Sequence, residues 1–553
     1  MAKFPDPTKS YTASPVDDKV NAAPSAPTDT ASSAPPTSEP NTVYTAPTQT
    51  DLPPAPAPQS EGEVSGTPAP SASAGAEGSP PAFPEVSTPE PVGYEVPPAT
   101  QVSTSPEEPS APVPPQSVPS LPVSPSPFRN LIPVAIAVVA LGVLAFLGFS
   151  VLPKLFSTST GPINLTYWGL WEPSSVIDPL IASYESTHPN VKITYTMESP
   201  QNYRSRIQSS VSQGNSPDIV RIHNTWLPEM VNILSPAPDT VMTTSGLSAY
   251  YPVVQKNAVS GGKVYALPLE IDGLALFYNQ DMLSAAGATP PTDWNALRKL
   301  AYSLTKRDAT TGIITQAGVD MGTTGNVEHW SDILGLLILQ NSGDPSDPSS
   351  TAVQDALTFY TIFTTQDKIW DASQPNSIYA FSTGTVAMIL APSWEAAQIK
   401  AINPNLKFGI APAPTLPSTN VAWATYWMEA VPTGSKHPAE AWDFIKYLSS
   451  ADSLQKLYTA ESQIRPIGEP YPLTSMNSVL ANDPLAGPFV SQGPSYTSWY
   501  MNSRTYDSGL NDQIVKYYED AVNSIDNGST VAASIQALGS GVSQVLSQFP
   551  GAK

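Results

Sequence analysis

Thirty-one of the first 127 residues are proline, and that density divides the chain into physically different parts. Proline has no amide hydrogen to donate, and its fixed φ suits neither a helix interior nor a central strand. Runs such as Pro53-Pro54-Ala55-Pro56-Ala57-Pro58 therefore exclude a packed domain. Apolar residues in this stretch have no period, so no face can be buried. Through Arg129 there are 14 acidic and 4 basic residues. Residues 1–127 are thus expected to form a disordered, acidic, semi-extended tail.

Beyond it, 131–152 is a run of 22 residues without a charge, LIPVAIAVVALGVLAFLGFSVL. A helix of that length spans about 33 Å, enough for a hydrocarbon core. One transmembrane helix is expected over 128–153, followed by a spacer over 154–160. Arg129 and Lys154 flank the run on either side, so charge says little about orientation.

All 11 tryptophans lie after residue 160, where the composition is that of a folded protein. The net charge of −22 argues against a nucleic-acid surface. With no cysteine there is no disulfide, no thiolate metal site and no lipid on a thiol. The four histidines are widely spaced, and no nucleophile elbow, HExxH helix or phosphate loop occurs. No metal and no cofactor are expected. Gly261-Gly262-Lys263 reads as a hairpin turn, and Asp344 and Asp347 as part of a solvated loop.

From Ile163 onward strands and helices alternate. Strands are expected over 163–168, 191–195 and 217–222, with helices over 176–188 and 203–213. That order implies a mainly parallel sheet covered by helices. Such sheets bind ligands beyond the carboxyl ends of their strands. The strand ends Trp168-Gly169-Leu170-Trp171-Glu172 and His223-Asn224-Thr225-Trp226 carry aromatic and polar groups together.

Over about 162–553 the chain resembles the family 1 extracellular solute-binding proteins, the sugar-binding components of ABC importers. The resemblance rests on segments in series: SYESTHPNVKITY, GNSPDIV, GGKVYALPLEIDGLALFYNQDMLSAAG, PPTDWNALRKLAYSLTKRDATTG, FSTGTVAMILAPSW, FGIAPAP and AVPTGSKHPAEAWDFIKYL. It implies an α/β fold of the two-lobe, type II periplasmic-binding-protein kind. The lobes would be discontinuous, 161–273 with 428–493 and 274–427 with 494–553, closing on ligand like a hinge. It further implies a monomeric, non-enzymatic binding domain outside the cell; from the apolar run, not from the resemblance, that domain is expected to be tethered by the span with its tail in the cytoplasm. That domain would hand a neutral saccharide to permease subunits. Two other functions fit the same residues: a tethered carbohydrate receptor or adhesion module without transport, and a glycoside hydrolase using cleft carboxylates.

A saccharide offers an apolar ring face and hydroxyls that donate and accept, which suit aromatic faces, carboxylates, amides and guanidinium. Candidate aromatic contacts are Trp168, Trp171, Trp226, Trp330, Trp394, Tyr426, Trp427 and Trp499. Trp394 holds the position where the family places a stacking ring. Candidate polar contacts are Glu172, Asn224, Glu270, Asp272, Glu328, Glu395, Glu429 and Arg504. Asp272 stands where the sugar-binding branch has a carboxylate at a crossover. Thr225-Trp226 replaces charged residues of maltodextrin binders, which speaks against a maltose-like ligand. Trp294 and Trp442 read as packing.

Overall fold

The computed structural model describes Phe4 and residues 161–552, Ser418 excepted. The expected span over 131–152, and all of the expected tail except Phe4, lie outside the described residues. Among the described residues no helix is long and apolar enough to cross a membrane.

Two sheets organise the fold. The first contains β1 (Ile163–Gly169), β2 (Val191–Met197), β3 (Ile219–His223) and β4 (Leu234–Ser235). β1 lies between β2 and β3, parallel to both. Along β1 burial alternates, with Ile163, Leu165 and Tyr167 inward, and Tyr167 meets Phe444 of helix Pro438–Leu448 edge to face at 6.3 Å. Helix Ser174–Thr187 buries Val176, Ile177, Leu180, Ile181 and Tyr184, a stripe at helical spacing. Next comes the hairpin of β5 (Val259–Ser260) and β6 (Lys263–Val264). Gly261 and Gly262 at its tip have φ of +54° and +74°, the left-handed pair that a two-residue turn of this kind requires.

β7 (Ala266–Pro268) is the last strand of the first sheet before the chain crosses over. The second sheet is built from β8 (Ala275–Asn279), β9 (Lys306–Arg307), β10 (Ile314–Val319), β11 (Val386–Ala391) and β12 (Phe408–Pro412). Its order is β12-β8-β11-β10-β9. The chain then returns through β13 (Ala422–Trp423) to β14 (Trp427–Pro432), which pairs antiparallel with β3, β4 and β7 in the first sheet. β15 (Tyr496–Thr497) leads to the final helices Leu510–Asp526 and Val531–Gln548, which pack on helix Thr351–Thr365.

The three passages between the sheets lie side by side. β13 pairs with β15, and Gly273 bridges to Ala424. Leu274 donates its amide to Trp423 at 3.1 Å, and Ala424 donates to Thr497 at 2.9 Å. A Cβ at position 273 would stand 1.9 Å from the Trp423 carbonyl oxygen, so only glycine fits this close approach.

Trp294 and Trp442 are core residues, 1% exposed each. The Trp294 indole donates to Gln340 at 2.6 Å, and the helix it opens is capped by Asp293, which accepts from Ala296 at 2.8 Å.

One tail residue departs from the expectation of a tail without packing. The Phe4 ring stacks on Phe359 at 4.6 Å and 13°, beside Trp294 and Phe363. Removing 1–159, or Phe4→Ala alone, should lower stability by about 0.5–1.5 kcal/mol, the worth of an aromatic pair. Matching denaturation curves for the 160–553 fragment, the variant and the full chain would refute the contact.

Candidate functional site

Between the ends of the two sheets lies a cavity of about 160 Å³. Typical ligand pockets run to about 300–1,000 Å³, so this one suits a small ligand. Its apolar wall is aromatic: Trp171, Trp394 and Trp427. Trp427 opens β14, and its ring meets Trp171 edge to face at 5.9 Å. Trp394 follows β11 and begins helix Glu395–Ile402. Trp171 sits on the loop after β1 with φ of +69°, and Arg504, also lining the cavity, has φ of +57°. Left-handed backbone at bulky residues costs roughly 1–3 kcal/mol and gathers where function holds a side chain in place.

The polar wall is formed by Glu270, Arg465 and Glu469 on one side, with Gln398, Ser503 and Arg504 elsewhere. His223 and Thr425 complete it. His223 is held between two hydroxyls, Thr225 Oγ1 at 2.7 Å and Thr425 Oγ1 at 3.1 Å. Burial pushes its pKa down to about 3, so the ring is neutral.

Five candidates from the sequence line the cavity: Trp171, Glu270, Trp394, Trp427 and Arg504. Others stand behind it with partners of their own, which corrects their expected placement. Glu172 and Glu429 are buried and flank the Arg221 guanidinium, with Nη1 on Glu172 Oε2 and Nε on Glu429 Oε1 at 2.7 Å. A central strand that carries an arginine must supply such partners. Asp272 is 1% exposed and spans the crossover, accepting from Gly273 N at 2.7 Å, Ser393 N at 3.0 Å and Ser393 Oγ at 2.6 Å. It therefore fixes backbone at the crossover, and Asp272→Ala is a structural substitution.

Glu395 lies under Trp394 and binds His329 Nε2 at 3.1 Å and Arg504 at 2.8 Å. Burial alone would raise its pKa; His329 and Arg504 outweigh that and hold it low. Burial likewise opposes charge on His329, but Asp332 and Glu395 prevail and raise it to about 9. Glu328 bonds Asn376 at 2.5 Å and faces Arg504 at 3.6 Å. Asn224 joins Ser498 at 2.9 Å and accepts from Tyr426 N at 3.2 Å, while the Tyr426 hydroxyl reaches Asn257 at 3.0 Å. Trp226 is fully buried against Trp427 at 5.2 Å. Trp330 is in the core, Trp499 packs on Tyr500, and Trp168 borders a separate surface hollow with Asn202 and Arg206.

Gln398, Thr425, Arg465, Glu469 and Ser503 were not anticipated, and His223 was placed at a strand end but not among the candidate contacts. Gln398 was within reach, since it sits one helical turn beyond Trp394. Arg465 and Glu469 come from a loop with no motif. The cavity can stack a ring face and exchange hydrogen bonds with hydroxyls. Its carboxylates Glu270 and Glu469 lie beside Arg465 on one wall.

A family model described as bacterial extracellular solute-binding protein matches residues 179–479, more than half of the chain. The multiple sugar-binding protein of Streptococcus mutans is 22% identical over 309 residues, 52% of this chain and 71% of that one. Among solved structures, one with mannotriose bound has a TM-score of 0.53 at 23% identity, covering 69% of this chain and 100% of the other. A cyclo/maltodextrin-binding protein with maltotetraose has a TM-score of 0.59 at 15% identity, covering 70% and 99%. At these identities the structural likeness speaks for the fold.

Proposed function

The chain belongs to the bacterial extracellular solute-binding proteins, and from that premise we propose that it captures a small neutral saccharide in the tryptophan-lined cavity and passes it to an ABC permease. The observation that carries this reading is the pairing of three indole faces with acid, amide and guanidinium groups around one small cavity. Its matched relatives are binding proteins and not enzymes.

The two sheet-centred halves are read as the lobes, 161–273 with 428–493 and 274–427 with 494–553. They would close by bending at the three hydrogen-bonded crossovers. Cavity residues Trp171, Glu270, Arg465 and Glu469 belong to the first and Trp394, Gln398 and Arg504 to the second, with Trp427 at the boundary where β14 begins. Ligand would thus bridge the halves.

A saccharide panel screened by thermal shift tests this. A hit should quench tryptophan fluorescence and stabilise the protein by mass action, about 2.7 kcal/mol at a hundredfold excess over Kd. Trp394→Ala should weaken that hit by about 1–3 kcal/mol through loss of a stacking face. Hits among peptides or polyamines with none among sugars would overturn the saccharide assignment. Release of a product from a glycoside would support hydrolysis instead.

The apolar run 131–152 is proposed as the tether that keeps the binding domain at the cell surface. One crossing puts residue 4 on the far side from Phe359, so the tether requires the Phe4–Phe359 stack to open in the membrane-bound chain. Protease added to intact cells tests the tether. A tether leaves an N-terminal tag protected while the lobes are cleaved; loss of both tag and lobes would reject it.

A further inference from the structure

Behind the cavity, one oxygen from each of three carboxylates, Glu172, Glu461 and Glu469, lies within 4.8 Å of the other two. Glu172 sits on the loop after β1, Glu461 ends helix Ala451–Glu461, and Glu469 lies on the loop that follows. Their exposures are 3%, 1% and 8%. Arg465 pairs with Glu461 at 2.9 Å and Glu469 at 2.5 Å, and Arg221 pairs with Glu172 and Glu429.

These pairings leave the cluster short of positive charge. Glu172, Glu270, Glu429, Glu461 and Glu469 are all buried, against the guanidiniums of Arg221 and Arg465. Independently, Glu172 Oε1 and Glu461 Oε1 have no hydrogen-bond partner. A buried carboxylate oxygen without a partner is strongly unfavourable, so both call for a donor or a cation.

We propose that Glu172, Glu461 and Glu469 hold one divalent, oxygen-preferring cation of the calcium type. All three donors are carboxylate oxygens, the ligand set of hard cations rather than of zinc or copper. Oxygens bound at about 2.4 Å to one ion stand no more than about 4.8 Å apart, which this cluster satisfies. The ion would supply the partner that Glu172 Oε1 and Glu461 Oε1 lack. It also ties the loop carrying Arg465 and Glu469 to the end of β1, and so sets one wall of the cavity.

The test uses the full chain in detergent, stripped with EDTA and dialysed against calcium chloride alone. Metal content measured after dialysis should give one calcium per chain, and the melting temperature should rise over the EDTA-treated sample. E461Q and E172Q should each abolish the uptake, while D344N/D347N should retain it. No calcium above the buffer blank and no change in melting temperature for the wild-type chain would overturn the site. So would uptake that persists in both E461Q and E172Q. Should either variant fail to fold, the wild-type metal content still decides.

Discussion

Arg221→Met should destabilise the protein by about 3–5 kcal/mol, because it strips two buried carboxylates of their cation at once. Glu172 is 3% exposed and Glu429 is fully buried, and both aim at the one guanidinium in the centre of the first sheet. Burial already pushes both carboxyls upward against the pull of Arg221. Without it they must either bind protons or remain as uncompensated charges. Denaturant unfolding of the variant measures the loss. The triple variant R221M/E172Q/E429Q should recover much of it, since the charges then vanish together. A loss below about 1 kcal/mol for R221M would mean that the pairs are not buried as described.

Between pH 6.5 and 9 the folded protein should lose about 3 kcal/mol through His329. Asp332 and Glu395 raise this histidine to about 9 against the effect of burial, while in the unfolded chain it titrates near 6.5. Over that interval the folded state holds a proton that the unfolded state has released. The contribution is complete below the unfolded value and disappears as pH rises through the folded one. Thermal unfolding across pH 6 to 10 should show the decline, and His329→Gln should flatten it. A profile equally steep in that variant would assign the proton to another group. Glu461, raised to about 8 by burial and then by Glu469, loses stability in the same direction and is the first alternative.

Strands and helices of the first sheet were legible because their signals are local. Alternation in Ile163-Asn164-Leu165-Thr166-Tyr167 and the Pro189-Asn190 stop are properties of a few neighbouring residues. Trp171, Glu270, Trp394, Trp427 and Arg504 reach the cavity because strand ends and crossovers deliver side chains there. Glu172, Asp272 and Glu429 satisfied the same positional rule, but each had a prior partner. Arg221 sits inside the strand sequence Ile219-Val220-Arg221-Ile222-His223, and a charge at such a position demands carboxylates. Asp272 is taken by Ser393, 121 residues away, a pairing that no local pattern encodes. Glu461, Arg465 and Glu469 escaped for the same reason: the cluster they build closes on Glu172, nearly 300 positions earlier.

The pairing of β3 with β14 also has a consequence for synthesis. Ile222 faces Met428, so the middle of the first sheet closes only after 206 further residues have left the ribosome. At roughly 5–20 residues per second, about 10–40 s separate the two strands. Throughout that interval one flank of β3 offers free amides and carbonyls along a strand of wholly buried side chains. A nascent chain in that state invites intermolecular pairing, and non-local closure of this kind is slow in its own right. The topology therefore favours a chaperone that keeps the polypeptide extended until β14 has been made, which is also the condition in which a chain can be threaded across a membrane.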